Sequence, residues 1–412
     1  MEFIGFIHFS INTFTDKEWG YGNESPSLFN PSSLDARQWA RVAKEAGMKQ
    51  LILTAKHHDG FCLWPSAYTD HSVKNSPWRG GEGDLVKEFT DACREYGLKC
   101  GLYLSPWDRN RRDYGKSEYI DYYRKQLTEL LTNYGEISEI WFDGANGGDG
   151  FYGGANEIRH IDREAYYDWD STFRLVYSLQ PDIIIFSDAG PGCRWIGNER
   201  GIAGETCWST ITADSLTIGA SKQAYLNTGD PHGTDWIPGE CDVSIRPGWF
   251  YHESQDSLVK SLDELIEIYY GSVGRNGVLL LNIPPDQRGL IHEADVERLQ
   301  EFSEFIRETF DENLASGIEV SDVVKLPDTV DFNLIMLGED IARGQRVHSF
   351  AVESFQHGEW NPLASGTTIG YKRILEVPST VTSMLRFTFE SEKGTPMITT
   401  FGLYNDARKA GL

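Results

Sequence analysis

The residues best able to do chemistry fall at the ends of short apolar runs. In EFIGFIHFS the run delivers His8, and Glu18 and Trp19 follow in the next loop. KQLILTAKHHDGF ends in Lys56, His57, His58 and Asp59, and KCGLYLSPWD ends in Tyr103, Ser105 and Trp107. SEIWFDG delivers Asp143, DIIIFSD delivers Asp188, and GECDVSI carries Glu240 and Asp242. A glycine-containing stretch between the last two holds Glu199 and Glu205. One such residue is ordinarily a cap or a hydrogen-bonded structural group. Clusters on successive strands are harder to explain that way, because capping uses loop residues rather than a strand's last inward position.

These residue types narrow the chemistry. A metal hydrolase would need His57, His58 and Asp143 as ligands, but adjacent strand residues face opposite ways unless the backbone bends there. No G-x-S-x-G elbow is present for Ser-His-Asp catalysis. Carboxylates accompanied by Trp, Tyr and His suit a polyhydroxylated sugar, whose hydroxyls take directional hydrogen bonds while rings cover its C–H face. Two carboxylates in different environments can then divide glycoside cleavage between an ionised nucleophile and a protonated acid. Asp143, short and anchored at a strand end, suits the nucleophile's fixed geometry. Its partner must come from another strand or loop. The insert ANGGDGFYGGANEIRHIDRE after Asp143 reads either as a source of leaving-group contacts or as a solvated loop.

Such residues need a scaffold that brings strand ends together. Up to about residue 310, apolar strands alternate with amphipathic helices such as SSLDARQWARVAKEAGM, read with a Ser N-cap and Gly47 at its end, and GDLVKEFTDACREYGL, opened by Asp84. Uniformly apolar strands between helices imply a parallel sheet covered on both faces. Without a G-x-G-x-x-G after the first strand or a P-loop, an open nucleotide-binding sheet loses its usual mark. The polar strand ends favour a (β/α)8-like TIM barrel over residues 1–312, whose βα-loops assemble one site. Residues 313–412 change texture to short β-branched runs broken by Pro, Gly and Asp, which predicts a C-terminal antiparallel β-sandwich. A packing role against the barrel is expected of it ahead of independent glycan binding. The final ARKAGL shows no closing strand, leaving room for further C-terminal sequence.

Composition sets the outer limits. Lys and Arg number 38 against 62 Asp and Glu, a formal charge of −24 that repels polyphosphate and anionic lipid. No nucleic-acid partner and no membrane insertion are therefore expected, and no apolar run nears the roughly 18 residues that span a bilayer. The six cysteines lack metal-finger or C-x-x-C spacing and read as reduced, small hydrophobes. The chain starts directly in a strand, so it is expected to be secreted or periplasmic if a signal peptide was trimmed and cytoplasmic otherwise.

FIHFSINTFTDKEWG, TAKHHDGFCLWPS, GLYLSPWD, EIWFDGA, RWIGNE, GECDVSIRPGWFYH and NGVLLLNIPPDQRGLI, in that order, resemble glycoside hydrolase family 29, the retaining α-L-fucosidases. The likeness covers residues 1 to about 310 and is greatest to the branch that acts on α-1,3/1,4-linked fucose in branched, Lewis-type glycans. It implies an exo-acting hydrolase of fucosylated oligosaccharides or glycoconjugates, with Asp143 as nucleophile and neither metal nor organic cofactor. His8, Glu18, Trp19, His57, His58, Tyr103, Trp141 and Trp249 fall where the family lines its fucose pocket. The acid/base is less fixed in the family. In that branch it matches the Glu of GNE, Glu199, with Glu240 and Glu205 as alternatives, and Glu240 on its strand suits substrate binding equally well. Two rival readings remain: a non-catalytic glycan-binding protein on a decayed barrel, and a same-fold glycosidase for another pyranoside. Retention of both carboxylate candidates speaks against decay.

Overall fold

The computed structural model describes residues 1–220 and 222–409. Eight parallel strands close into a barrel in sequential order: β1 (Phe3–Ile7), β2 (Gln50–Lys56), β3 (Lys99–Leu104), β4 (Glu139–Trp141), β5 (Ile184–Ser187), β6 (Cys193–Trp195), β7 (Gly239–Ser244) and β8 (Val278–Asn282). All seven residues of β2 are buried, as expected where helices cover one face of a strand and the barrel interior the other. The helix Ala36–Glu45 buries Ala36, Trp39, Ala40 and Ala43, the i, i+3, i+4, i+7 stripe of a one-sided helix. Its cap is Asp35, not a serine: the carboxylate accepts from Arg37 N at 2.9 Å. Asp84 caps the next helix, Leu85–Glu95, as expected.

The (β/α)8 pattern is incomplete in one place. Between β5 and β6 the chain returns in five residues, 188–192, without a helix, and β6 is only three residues long. The helix after β6, Gln223–Thr228, is a short one inside a long loop. That loop carries Glu199.

Strand alternation stacks the inward side chains in layers. Glu139 and Trp141 of β4 precede Asp143 at two-residue steps, as Glu240 precedes Asp242 on β7. Glu139, Glu240 and Cys193 form the deep layer, with ligating atoms within 4.8 Å of one another. Phe6, Tyr103, Trp141 and Phe186 belong to an aromatic layer above it, where Trp141 stacks on Phe186 at 3.8 Å. Asp143, His8 and Asp242 come next, at the mouth.

The last barrel helix ends at Phe310, and a C-terminal antiparallel β-sandwich follows from Val323. Its strands β9 (Val323–Glu339), β10 (Ser349–Gln356), β11 (Glu359–Gly366), β12 (Arg373–Glu390) and β13 (Ile398–Tyr404) pair in the order β11-β10-β12-β9-β13. Register shifts along β9, at Lys325/Val330 and Phe332/Leu334, bend the long β9–β12 pair around a separate apolar core containing Phe332, Ile335, Val352, Leu385 and Leu403. The domain packs on the barrel through the segment just after Glu199: Cys207 N donates to Thr368 Oγ1 at 2.9 Å, and Arg373 pairs with Glu205 at 2.6 Å. Of the terminal ARKAGL, Ala407–Lys409 forms a single 3-10 turn and the rest lies outside the described residues. Among the described residues, no helix is long and apolar enough to cross a membrane.

Candidate active site

The strand ends enclose a cavity of about 260 Å³ at the C-terminal mouth of the barrel. That is near the lower end of the roughly 300–1,000 Å³ typical of small-molecule sites, the scale of one sugar ring rather than a chain. His8, Glu18, Trp19, His57, His58, Tyr103, Trp141, Asp143, Glu199 and Trp249 all line it.

Asp143 is held by two donors: Tyr103 OH to Oδ2 at 2.9 Å and Ala145 N to Oδ1 at 2.7 Å. Its side chain remains 26% exposed, facing the cavity. Tyr103 is itself fixed by stacking on Trp141 at 5.5 Å, so the donor has little freedom.

Both His57 and His58 are buried and line the cavity, although they are adjacent. The β2–β3 register shifts between Thr54 and Lys56 and the strand ends there, so alternation no longer applies to the two histidines. Hydrogen bonding sets the tautomer of His58. Ser105 Oγ donates its proton to Trp107 O at 2.7 Å and lies 2.7 Å from His58 Nδ1, so Nδ1 carries the hydrogen. His8 is ordered likewise. Asn282 Nδ2 donates to Ser244 Oγ and Trp249 O, which leaves Oδ1 to accept from His8 Nδ1 at 2.8 Å. Burial lowers the His58 pKa to about 4 and that of His8 to about 3. Both rings are therefore neutral at pH 7, each with Nε2 as an acceptor for a sugar hydroxyl. His58 Nε2 lies 3.7 Å from Asp143 Oδ2, too far for a direct hydrogen bond.

Glu18 accepts from Trp249 N at 3.0 Å, Phe250 N at 3.3 Å and His252 Nε2 at 2.7 Å, which ties the first loop to the loop after β7. Trp19 forms the rim; it is 54% exposed and meets Trp107 edge-to-face at 5.4 Å. The glycine-rich insert folds as a hairpin, Gly148–Tyr152 with Ala155–Arg159, that braces this rim. Trp107 Nε1 donates to Tyr152 OH at 3.1 Å, and Phe151 N donates to Tyr21 O at 2.9 Å.

The three candidate glutamates occupy different places. Glu199 lines the cavity and accepts one long hydrogen bond, from Trp249 Nε1 at 3.3 Å. Burial raises its pKa, as do the charges of Asp143 and Glu18, while the indole bond opposes the rise. Glu240 is buried beneath the floor, accepts Trp141 Nε1 at 2.8 Å and is not among the lining residues. Desolvation and the neighbouring Glu139 hold its pKa well above the usual range. Glu205 lies outside the cavity, paired with Arg275 and Arg373 against the sandwich.

Asp188, Asp242, Trp195, Phe186 and Gly219 also line the cavity. Asp188 and Asp242 were legible as strand-end carboxylates. Asp188 accepts Gly219 N at 3.0 Å, and burial pushes its pKa up to about 6. Asp242 accepts Trp195 Nε1 at 2.9 Å. Trp195 and Gly219 lie on and after the three-residue β6, where no periodicity marks them.

A profile of the α-L-fucosidase family matches residues 5–309. The α-L-fucosidase 1 of Arabidopsis thaliana is 45% identical over 97% of this chain and 84% of its own length. A glycoside hydrolase family 29 member from an unknown rumen bacterium superposes with a TM-score of 0.94 at 51% identity, covering 98% of this chain and 75% of that one. A Ruminococcus gnavus family 29 fucosidase, solved in complex with fucose, superposes with a TM-score of 0.87 at 33% identity over 98% of this chain and 92% of that one. A strand-end cavity of one-sugar size and a match over most of the chain agree: the chain belongs to glycoside hydrolase family 29, the α-L-fucosidases, and is a glycoside hydrolase.

Proposed function

We propose that the protein is a retaining exo-α-L-fucosidase that removes terminal fucose by double displacement, with Asp143 as nucleophile and Glu199 as acid/base. Asp143 attacks the anomeric carbon while Glu199 protonates the departing oxygen; Glu199 then deprotonates the water that releases fucose. The observation that carries this assignment is the contrast between two carboxylates of one cavity. Asp143 has two short donors and suits an anion, whereas Glu199 has one weak donor and a raised pKa, which suits an acid. Glu240 has no access to the cavity and Glu205 is committed to two arginines. The neutral histidines His8, His57 and His58 accept or orient hydroxyls, while Trp141 and Trp249 cover the sugar's apolar face.

The preferred substrate is α-1,3/1,4-linked fucose on a branched, Lewis-type glycan. This rests on the GNE context of Glu199 and on a second, open cavity that shares Trp195 and Glu199 with the first and continues past Asn198, Arg200 and Gln223. Glu199 thus stands between a one-sugar chamber and a more open cleft with room for a branched leaving group. The test compares release of fucose from an aryl α-L-fucoside and from a Lewis-type trisaccharide. Higher kcat/KM on the trisaccharide is expected. No fucose from either substrate would overturn the activity, and equal or lower kcat/KM on the trisaccharide would overturn the linkage reading.

A further inference from the structure

Five carboxyl groups, Glu18, Asp143, Asp188, Glu199 and Asp242, line one cavity of about 260 Å³. None of the described residues lining it is Lys or Arg, and its three histidines, His8, His57 and His58, are neutral at pH 7. Like charges this close cannot all ionise, so the protons settle on the carboxyls with the fewest donors. Glu18 has three donors and Asp143 two, against one each for Asp188, Glu199 and Asp242, of which Asp242 is the most deeply buried. Asp242 has a single side-chain donor, Trp195 Nε1, and is 3% exposed. It lines the same cavity as Glu199 and Asp143, and Glu240 lies two residues beneath it on the same strand. Arg194, the cation beside Trp195 on β6, turns away and donates to the carbonyls of Leu226, Ile237 and Trp208. Its charge is spent on the far side of the strand.

We propose that Asp242 is a protonated carboxylic acid in the working enzyme, with Oδ1 held by Trp195 and its O–H donated to a ring hydroxyl of the bound fucose, making it a specificity-determining residue. This rests on the reading of the cavity as the fucose site. The arrangement gives the site a complementary set: His8 and His58 offer acceptors through Nε2, and Asp242 supplies a donor in a chamber otherwise poor in them. The direction of the Asp242 pKa agrees, since burial first and then the charge of Glu199 push it well above the usual carboxyl range.

The experiment is a cycle between enzyme and substrate, using wild type, Asp242→Asn and Asp242→Ala with an aryl α-L-fucoside and its 2-, 3- and 4-deoxy analogues. Asn keeps an acceptor for Trp195 and a neutral donor, so Asp242→Asn is expected to hold kcat/KM within about fivefold. Asp242→Ala is expected to lose about 10- to 100-fold on the parent fucoside and less than about threefold on the one analogue lacking the recipient hydroxyl. A merely structural role would give the same loss on all four substrates, and that result overturns the proposal. Infrared difference spectra of wild type minus Asp242→Asn at pH 7, independent of whether the Ala variant folds, should show a lost carboxylic-acid carbonyl band. Loss of carboxylate bands instead also overturns it. A wild type inactive on the parent fucoside would refute the fucosidase reading itself, a distinguishable outcome.

Discussion

Gly219 closes the cavity wall, with its N–H on Asp188 and its Cα against the backbone that follows Asp143, which makes Gly219→Ala a sharp test of the geometry. Its φ is +81°, where an L side chain is strained, and a Cβ would run into Gly144 O and lie 2.6 Å from Asn146 Nδ2. Ordinary contacts are about 3.5–4.0 Å, so relief requires a shift of roughly 1 Å. Whichever side yields, the loop after the nucleophile or the Asp188 latch is displaced. Misplacement on this scale costs about 100-fold in rate. Gly97 is the control: its φ is +67°, and nothing lies within 4 Å of its added Cβ. Gly97→Ala carries similar backbone strain, about 1 kcal/mol, without a clash. Urea denaturation should show both variants weakened by similar backbone terms, while kcat/KM on an aryl α-L-fucoside falls about 100-fold only in Gly219→Ala. Full activity of Gly219→Ala, or an equal loss in Gly97→Ala, would refute the reasoning.

Other expectations follow from individual groups. The folded pKa of His58, about 4, lies below its unfolded value of 6.5, so the unfolded chain binds the extra proton between them. That stability is complete above pH 6.5 and is lost as pH falls towards 4, about 3 kcal/mol in all; His58→Gln should show a shallower decline in urea midpoint between pH 7 and pH 4.5 than wild type, and parallel declines would refute the assignment. Glu205→Gln removes the charge that pairs with Arg275 and Arg373, whose side chain is 4% exposed. A loss of about 1.5–3 kcal/mol in unfolding free energy with unchanged kcat is expected, and a collapse of kcat would restore Glu205 as a catalytic candidate. Glu240→Gln preserves an acceptor for Trp141 Nε1 and should keep near-normal activity, whereas Glu240→Ala leaves the buried indole N–H unpaired and should cost about 1–3 kcal/mol of stability. Inactive Glu240→Gln in a folded protein would argue for a direct role in proton transfer.

The barrel was legible because six of its strands are apolar runs ended by polar residues, a seventh, GECDVS, alternates apolar and polar, and the helices between them are amphipathic. β6 was not: Cys193–Trp195 is no shorter than β4, but it centres on Arg194 instead of lying in an apolar run, and no helix separates it from β5. Without an apolar run or a flanking helix, hydrophobic pattern has nothing to register. The same gap hid Trp195 and Gly219. His57 and His58 illustrate a rule that holds until a strand ends: alternation sends neighbours apart, and the bend after Lys56 lets both face the cavity. Alternation also explains Glu240 and Asp242. They share a face, but the residue nearer the C-terminal end reaches the mouth, so Asp242 lines the cavity while Glu240 lies beneath the Trp141 floor. The pairing of Glu205 with Arg373 of the sandwich spans 168 residues, a contact no local pattern announces.

The central claim, that Asp143 is the nucleophile and Glu199 the acid/base of a double displacement, is tested most directly by the stereochemistry of azide products. With an activated aryl α-L-fucoside and sodium azide, Asp143→Ala lacks the nucleophile, so azide attacks directly and inverts the anomeric carbon. In Glu199→Ala the fucosyl-enzyme still forms and azide replaces water, with net retention. Proton NMR of the products is therefore predicted to show β-L-fucosyl azide from Asp143→Ala and α-L-fucosyl azide from Glu199→Ala. The same anomer from both variants, or α-L-fucosyl azide from Glu240→Ala but not from Glu199→Ala, would contradict the account.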